Sequence, residues 1–134
     1  MASPFTHKSK RVRDMRAKLA TKAAIDLLKH NIMVFAPIPY NANWTRNDSG
    51  GLPVEWSFWE TYDKNFLHRC DGLIILQLEG WNKSVGVTAE TQYAREIGLP
   101  IFKLSPKDID KGNLKKIRQF IDKRSKKRKK PKKH

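Results

Sequence analysis

The feature that most constrains the fold is a nearly continuous apolar segment at residues 72–78, Gly-Leu-Ile-Ile-Leu-Gln-Leu. A strand with one solvent-exposed face alternates apolar and polar residues, whereas this segment is apolar at adjacent positions. Such a run is typical of a central parallel strand whose two faces are both covered by helices. The rest of the chain must therefore supply parallel neighbours and helices for both faces.

Helices and short strands alternate along the chain around this segment. Apolar residues recur at three- and four-residue spacing in four segments that we predict to be helices: 8–30, 54–69, 84–97 and 113–123. Short apolar runs predict two further strands, at 32–36 and 100–104. This alternation predicts an α/β fold, a small three-layer sandwich with a four- to five-stranded parallel sheet of the flavodoxin or Rossmann-like kind.

Most of the net positive charge lies at the C-terminus. Residues 115–134 carry twelve Lys or Arg and one Asp, which gives +11 of the chain's net charge of +15. Like charges repel one another and stay solvated. We therefore predict one domain over residues 1–112, a C-terminal helix over 113–123 and a disordered basic tail over 124–134.

The basic tail has two interpretations. It can attract DNA or RNA without sequence preference, because lysine and arginine neutralise phosphates. Alternatively, it is a targeting signal or a solubilising segment without a dedicated partner. The basic residues at its centre are Lys126, Lys127, Arg128, Lys129 and Lys130.

Composition disfavours several classes of protein. Cys70 is the only cysteine, which excludes a disulfide framework within the chain and fits a cytoplasmic, reducing setting. No apolar run reaches the roughly 18 residues of a membrane span, and residues 1–5 lack the apolar region of a signal peptide. The histidines show no metal-ligand spacing, so we expect neither a metal nor a cofactor.

The strongest local signal is Glu-Gly-Trp-Asn-Lys-Ser-Val-Gly-Val-Thr-Ala-Glu at residues 79–90, which follows the central strand and opens a helix. Ser84 is a candidate N-cap, and Gly86 permits a ligand to approach the backbone closely. The free N–H groups of the first helical turn favour an anion. Glu90 lies one to two turns further on. In the alternative interpretation Ser84 only caps the helix and Glu90 is a solvated helix residue.

This motif belongs to a wider resemblance that covers about residues 2–104. The stretch 76–90 resembles the signature of the nucleoside 2-deoxyribosyltransferase-like superfamily, and is closest to branches that carry Gly-Trp-x-x-Ser-x-Gly before a Glu. Other positions agree with the family in the same order: Ala-Ser-Pro-Phe at 2–5, Phe-Ala-Pro-Ile at 35–38, Asp63, Ala94 and Gly-Leu-Pro-Ile at 98–101.

The resemblance implies N-glycosidic bond chemistry on nucleosides or nucleoside 5′-monophosphates. It assigns Glu90 as the nucleophile that attacks C1′, and Asp63 as the group that protonates the departing base or orients the sugar. Water or a second base then resolves the glycosyl-enzyme, so both a hydrolase and a transferase remain open. The resemblance also implies a homo-oligomer in which a neighbouring copy completes the site.

Substrate contacts follow from the same comparison. Ser84 matches the serine that contacts a 5′-phosphate in the nucleotide N-hydrolase branch. The predicted substrate-binding residues are Ser3, Pro4, Phe5, Trp81, Ser84 and Gly86. From the residues alone, Trp81, Trp44 or Tyr40 can stack on a base. Trp56 and Trp59 are expected in the core, and Asp71 in a cap or turn.

One departure concerns the N-terminus. The family usually has a Tyr just before its Ala-Ser-Pro segment, where this chain has Met1. Either the start lies upstream or the protein does without that Tyr. A nucleotide-binding module without turnover would keep Ser84 and Gly86, so two alternatives to an enzyme remain: this module, and a nucleic-acid-associated protein that acts through its tail.

Overall fold

Five α-helices surround two short strands in the part of the chain that the structure, a computed structural model, describes: residues 1–38, 42–45 and 50–129. The helices are α1 (Lys10–Lys29), α2 (Trp56–Leu67), α3 (Val85–Glu96), α4 (Pro106–Asp110) and α5 (Lys115–Lys129). The strands are β1 (Leu73–Leu76) and β2 (Ile101–Leu104), and 3₁₀ turns lie at Ala42–Trp44 and Trp81–Lys83. None of the described helices is both long enough and apolar enough to cross a membrane.

The predicted four- to five-stranded sheet is wrong, because the described residues contain a parallel sheet of two strands, β1 and β2. Ala2 adds a single parallel bridge to Ile75, with its N–H donating to the carbonyl of Ile74 at 2.7 Å. Pro4 follows two residues later and has no N–H with which to continue the ladder. The strand predicted at residues 32–36 is also wrong, because these residues form no ladder with β1 or β2.

Alternate residues of β1 point to opposite sides of the sheet. Leu76 packs into one core cluster with buried residues of α1, α4 and α5. Leu73 and Ile75 pack into a second cluster with buried residues of α2 and α3. The short sheet is therefore covered by helices on both faces, as the apolar run of β1 requires.

Local sequence fixes both ends of α1. The Ser9 hydroxyl oxygen accepts a hydrogen bond from the Val12 N–H at 3.4 Å and so caps the first turn. At the other end Asn31 adopts a left-handed conformation with φ 59°, and the N–H of Ile32 donates to the carbonyl of Leu27 at 3.0 Å. Asn adopts the left-handed conformation more readily than most residues, which suits it to the position after this helix.

The structure departs from the prediction at the C-terminus, where α5 continues through Lys129 and not only to residue 123. Arg124 and Arg128 lie one turn apart and both reach the carboxylate of Asp71, at 2.8 and 3.2 Å. Asp71 is thus an ion-pair partner as well as a residue of the turn before β1. The helical part of the tail includes Lys126, Lys127 and Arg128, whereas Lys130 lies outside the described residues.

Two adjacent leucines of α1 provide a test of this packing. Leu27 is 0% exposed and Leu28 is 45% exposed. We expect Leu27→Ala to lower the free energy of unfolding by about 2–5 kcal/mol, because it leaves a cavity between α1 and the sheet. Leu28→Ala should change it by less than about 0.5 kcal/mol. Denaturant unfolding measures both values, and equal losses would contradict the packing described.

Candidate functional site

A cavity of about 660 Å³ opens beyond the carboxyl end of β1. Its walls come from the N-terminal segment, the region after residue 36, helix α2 and the start of α3. Its volume lies within the range of small-molecule binding sites. The predicted site residues that line it are Ser3, Pro4, Phe5, Asp63, Ser84, Gly86 and Glu90.

Two carboxyl groups meet in this cavity. Asp63 comes from α2 and Glu90 from α3, and the packing of these helices brings the two side chains close enough for each to shift the pKa of the other. Burial raises the pKa of the Glu90 carboxyl, and the neighbouring Asp63 raises it further. Burial also raises the pKa of Asp63, although its interaction with Glu90 works in the opposite direction. The pair therefore tends to hold one proton near neutral pH.

The N-terminal amino group acts on the carboxyl pair. The amino group of Met1 donates to the carbonyl of Phe35 and lies near enough to Asp63 and Glu90 to favour their ionised forms. Burial raises the pKa of the Cys70 thiol, which makes it a poor nucleophile. Among the described residues no cluster of three or more His, Cys, Asp or Glu side chains is arranged to hold a metal ion.

The start of α3 forms one end of the cavity. The Ser84 hydroxyl oxygen accepts a hydrogen bond from the Val87 N–H at 3.3 Å, so Ser84 is the N-cap as predicted. This leaves the hydroxyl proton of Ser84 able to donate to a ligand. Within the described part of the chain, the backbone N–H groups of Val85 and Gly86 have no hydrogen-bond partner. The arrangement suits an anion, because the helix dipole also favours negative charge there.

Trp56 and Trp59 line the cavity and do not belong to either core cluster, contrary to the prediction. The Trp56 ring faces the start of α3, where a Cβ added to Gly86 would lie 3.6 Å from it. The indole N–H of Trp59 donates to the carbonyl of Pro53 at 2.7 Å, which fixes the orientation of its ring. Helical periodicity places both indoles on one face of α2, but it cannot tell a core from a cavity.

Two polar atoms of the cavity lining are buried without a partner. The Ser3 hydroxyl and Oδ1 of Asp63 have no hydrogen-bond partner among the described residues. Buried polar groups in proteins are nearly always paired. Both atoms are therefore candidates for contact with a ligand that enters the cavity.

The predicted stacking residues do not share this site. Trp81 is not part of the cavity lining and packs against the second core cluster, with the ammonium of Lys103 5.4 Å from the centre of its ring. Trp44 also lies outside the lining, although the neighbouring Ala42 and Thr45 contribute to it. Tyr40 lies outside the described residues.

Sequence reasoning missed Arg16, which lines the rim of the cavity. Its guanidinium donates to the carbonyl of Thr6 at 2.9 Å and to that of Glu79 at 3.3 Å. It thereby ties the N-terminal segment to the loop after β1. Arg16 stands among several basic residues on the surface of α1, and no local pattern singles it out.

The pH dependence of stability tests the buried carboxyl pair. The folded protein keeps the Glu90 proton up to a pKa of about 8, whereas the unfolded chain loses it at a pKa of about 4.3. Stability should therefore fall as pH rises between these values. We expect Glu90→Gln to remove much of this fall, so that its melting temperature at pH 8 exceeds that of the parent by a few degrees, roughly the effect of 1 kcal/mol.

Glu79→Gln is the matched control, because Glu79 is exposed on the loop after β1. Its melting temperature should follow the pH dependence of the parent. Thermal unfolding at pH 5 and pH 8 measures all three proteins. An unchanged pH dependence in Glu90→Gln would contradict a proton shared in the cavity.

Comparison with known proteins assigns the region that contains this site to a protein family. Residues 1–105 match the family described as "Domain of unknown function (DUF1937)", and this region includes β1, β2 and every residue that lines the cavity. No curated protein matches the chain. Since the match covers well over half of the sequence, the chain belongs to the DUF1937 family.

Proposed function

We propose that this protein catalyses N-glycosidic bond chemistry on (deoxy)nucleosides or nucleoside 5′-monophosphates. The observation that carries the proposal is the pair of partly buried carboxyls, Asp63 and Glu90, which lie side by side in a cavity of nucleotide size. Cleavage of a glycosidic bond needs one carboxylate and one carboxylic acid at the same bond. A pair that shares one proton supplies both.

The shared proton suggests how the two functions are divided. In the unliganded site Glu90 is the better proton holder, because its pKa is raised more by burial and by Asp63. Transfer of that proton to Asp63 leaves Glu90 as a carboxylate and makes Asp63 an acid. Glu90 then forms a bond to C1′ while the bond from C1′ to the base nitrogen breaks, and the base leaves with the proton of Asp63.

The rest of the cavity supports binding of the two ends of a nucleotide. Trp56 and Trp59 offer aromatic faces on which a base can stack. The hydroxyl of Ser84 and the free N–H groups of Val85 and Gly86 can hold a 5′-phosphate. This arrangement favours a monophosphate over an unphosphorylated nucleoside.

The second step remains open in this proposal. Water gives hydrolysis, whereas a second base gives transfer, and the cavity admits either. The resemblance to the deoxyribosyltransferase-like superfamily also suggests that a second copy of the chain completes the site. A reducing, cytoplasmic setting would agree with the free thiol of Cys70.

Release of free base tests the proposal. We expect the parent protein to release base from at least one member of a panel of deoxynucleosides and their 5′-monophosphates. Glu90→Gln should lower the rate by at least about a thousandfold, as loss of a nucleophile does. Asp63→Asn should lower it by about 10²–10⁴-fold, as loss of an acid does. Chromatography of the free base measures each rate, and added free base reports transfer as an exchanged nucleoside.

A comparison of two capping serines distinguishes a loss of phosphate binding from a loss of helix capping. Ser84 caps α3 at the cavity, and Ser105 caps α4, outside the cavity lining, by accepting from the Asp108 N–H at 3.1 Å. Each change to Ala should cost about 1 kcal/mol of stability. Only Ser84→Ala should reduce the preference for the monophosphate. Binding without base release by a folded parent would instead support a non-catalytic nucleotide-binding module.

A second candidate function is nonspecific binding of DNA or RNA by the end of α5. The ion pairs of Arg124 and Arg128 with Asp71 hold one side of this helix against the domain. Lys126 and Lys127 are exposed. A structured row of lysines would neutralise phosphates without reading sequence.

The salt dependence of DNA binding tests this second candidate. We expect Lys126→Gln/Lys127→Gln to reduce the slope of log affinity against log salt concentration by about 1 for each phosphate contact that is lost. Lys18→Gln/Lys29→Gln removes the same charge from exposed positions of α1 and should have little effect. Fluorescence anisotropy with a labelled oligonucleotide measures both, and equal slopes would exclude this surface.

A further inference from the structure

The outer edge of β2 carries backbone groups without partners. On its inner side, the Pro100 carbonyl accepts from the Leu73 N–H at 2.9 Å and the Leu104 carbonyl from the Gln77 N–H at 2.8 Å. Successive residues of a strand direct their backbone groups to opposite sides. Ile101 and Lys103 therefore point theirs away from β1, and the described residues provide no partner for them.

A groove of about 650 Å³ runs along this edge. Helix α3 forms one wall through its last turn, and the start of α5 forms the other. Four cations line the groove: Arg95, Lys103, Lys115 and Lys116. The single acidic residue among its described lining is Asp108, whose carboxylate accepts from the Ser105 N–H at 2.9 Å. The groove is therefore positively charged as well as lined by an open strand edge.

We propose that this groove binds an extended, acidic peptide segment of a partner protein, which adds to the sheet as a strand beside β2. Outward N–H and C=O groups of Ile101 and Lys103 would pair with the peptide backbone, and the four cations would pair with its acidic side chains. A second copy of this chain fits poorly, because edge-to-edge pairing would bring two sets of these cations together. The groove shares no lining residue with the cavity that holds Asp63 and Glu90.

Fluorescence anisotropy of the full chain tests the proposal. The probe is a fluorescein-labelled peptide of about six residues that alternates Glu and Val, which is long enough to span the four residues of β2 at about 3.3 Å each. We expect binding that weakens with salt. A peptide of the same sequence with N-methylated backbone amides should bind at least about tenfold more weakly, because it cannot pair with the strand edge.

Matched variants locate the site. Lys103→Pro removes an outward N–H, which an edge strand tolerates, and should weaken binding by about tenfold relative to Lys103→Thr, which removes only the charge. Lys115→Glu/Lys116→Glu should also weaken binding by about tenfold or more. Lys126→Glu/Lys127→Glu makes the same change of charge at the far end of α5 and should change binding less than about twofold. Circular dichroism and melting temperatures confirm that each variant folds.

Three kinds of result would overturn the proposal. The first is no binding of the probe at low salt. The second is equal binding of the N-methylated peptide, since the interaction would then need no added strand. The third is equal weakening by the two charge-reversed pairs, or displacement of the probe by an oligonucleotide of equal charge at the same concentration, since the groove would then be a general polyanion surface.

Discussion

The burial of β1 on both faces is the constraint on which the rest of the structure depends. Leu76 is buried by the helices on one face of the sheet, whereas Leu73 and Ile75 are buried by the helices on the other face. Because the strand is parallel to β2, each connection must cross a face of the sheet, and helices provide these crossings. The loops that follow the strand then collect at its carboxyl end, where ligands bind in sheets of this kind.

The candidate site holds two neighbouring carboxyl groups, a contact that is unfavourable for folding. Two carboxyl groups in partial burial reduce stability when both are ionised, and burial raises the pKa of both Asp63 and Glu90. The packing of α2 against α3 holds them together despite this cost. A stable core would place apolar side chains there, so the acid pair is the feature of the fold that most supports the proposed chemistry.

The positive charge is divided between two surfaces, the groove along β2 and the end of α5. The two arginines on Asp71 attach α5 to the domain, so the lysines along this helix acquire fixed positions. Those near its start face the groove along β2, together with Arg95 and Lys103. Lys126 and Lys127, near its end, are exposed. The net charge of the chain does not distinguish these two surfaces. The structure does, because the lysines of each surface lie at opposite ends of α5.

The sequence by itself determined the positions of several elements and of residues that line the cavity. Apolar spacing located α1, the continuous apolar run located β1, and Ser84 marked the start of α3, because capping and periodicity are local properties. Glu90, Asp63 and Ser84 were singled out by order and resemblance, and the structure places all three at one cavity. Only the tertiary structure decided the number of paired strands, since pairing depends on which backbone segments lie side by side.

Other features of the structure could not be predicted from any local pattern in the sequence. Trp56 and Trp59 line the cavity, while Trp81 packs against the core, because the same aromatic residue suits either place until the neighbouring helices are positioned. Arg16 reaches a loop 63 residues away in sequence, and α5 extends to Lys129 with Asp71 as a charge partner. Local propensity fixes which residues form a helix, but contacts between distant segments decide what each helix faces.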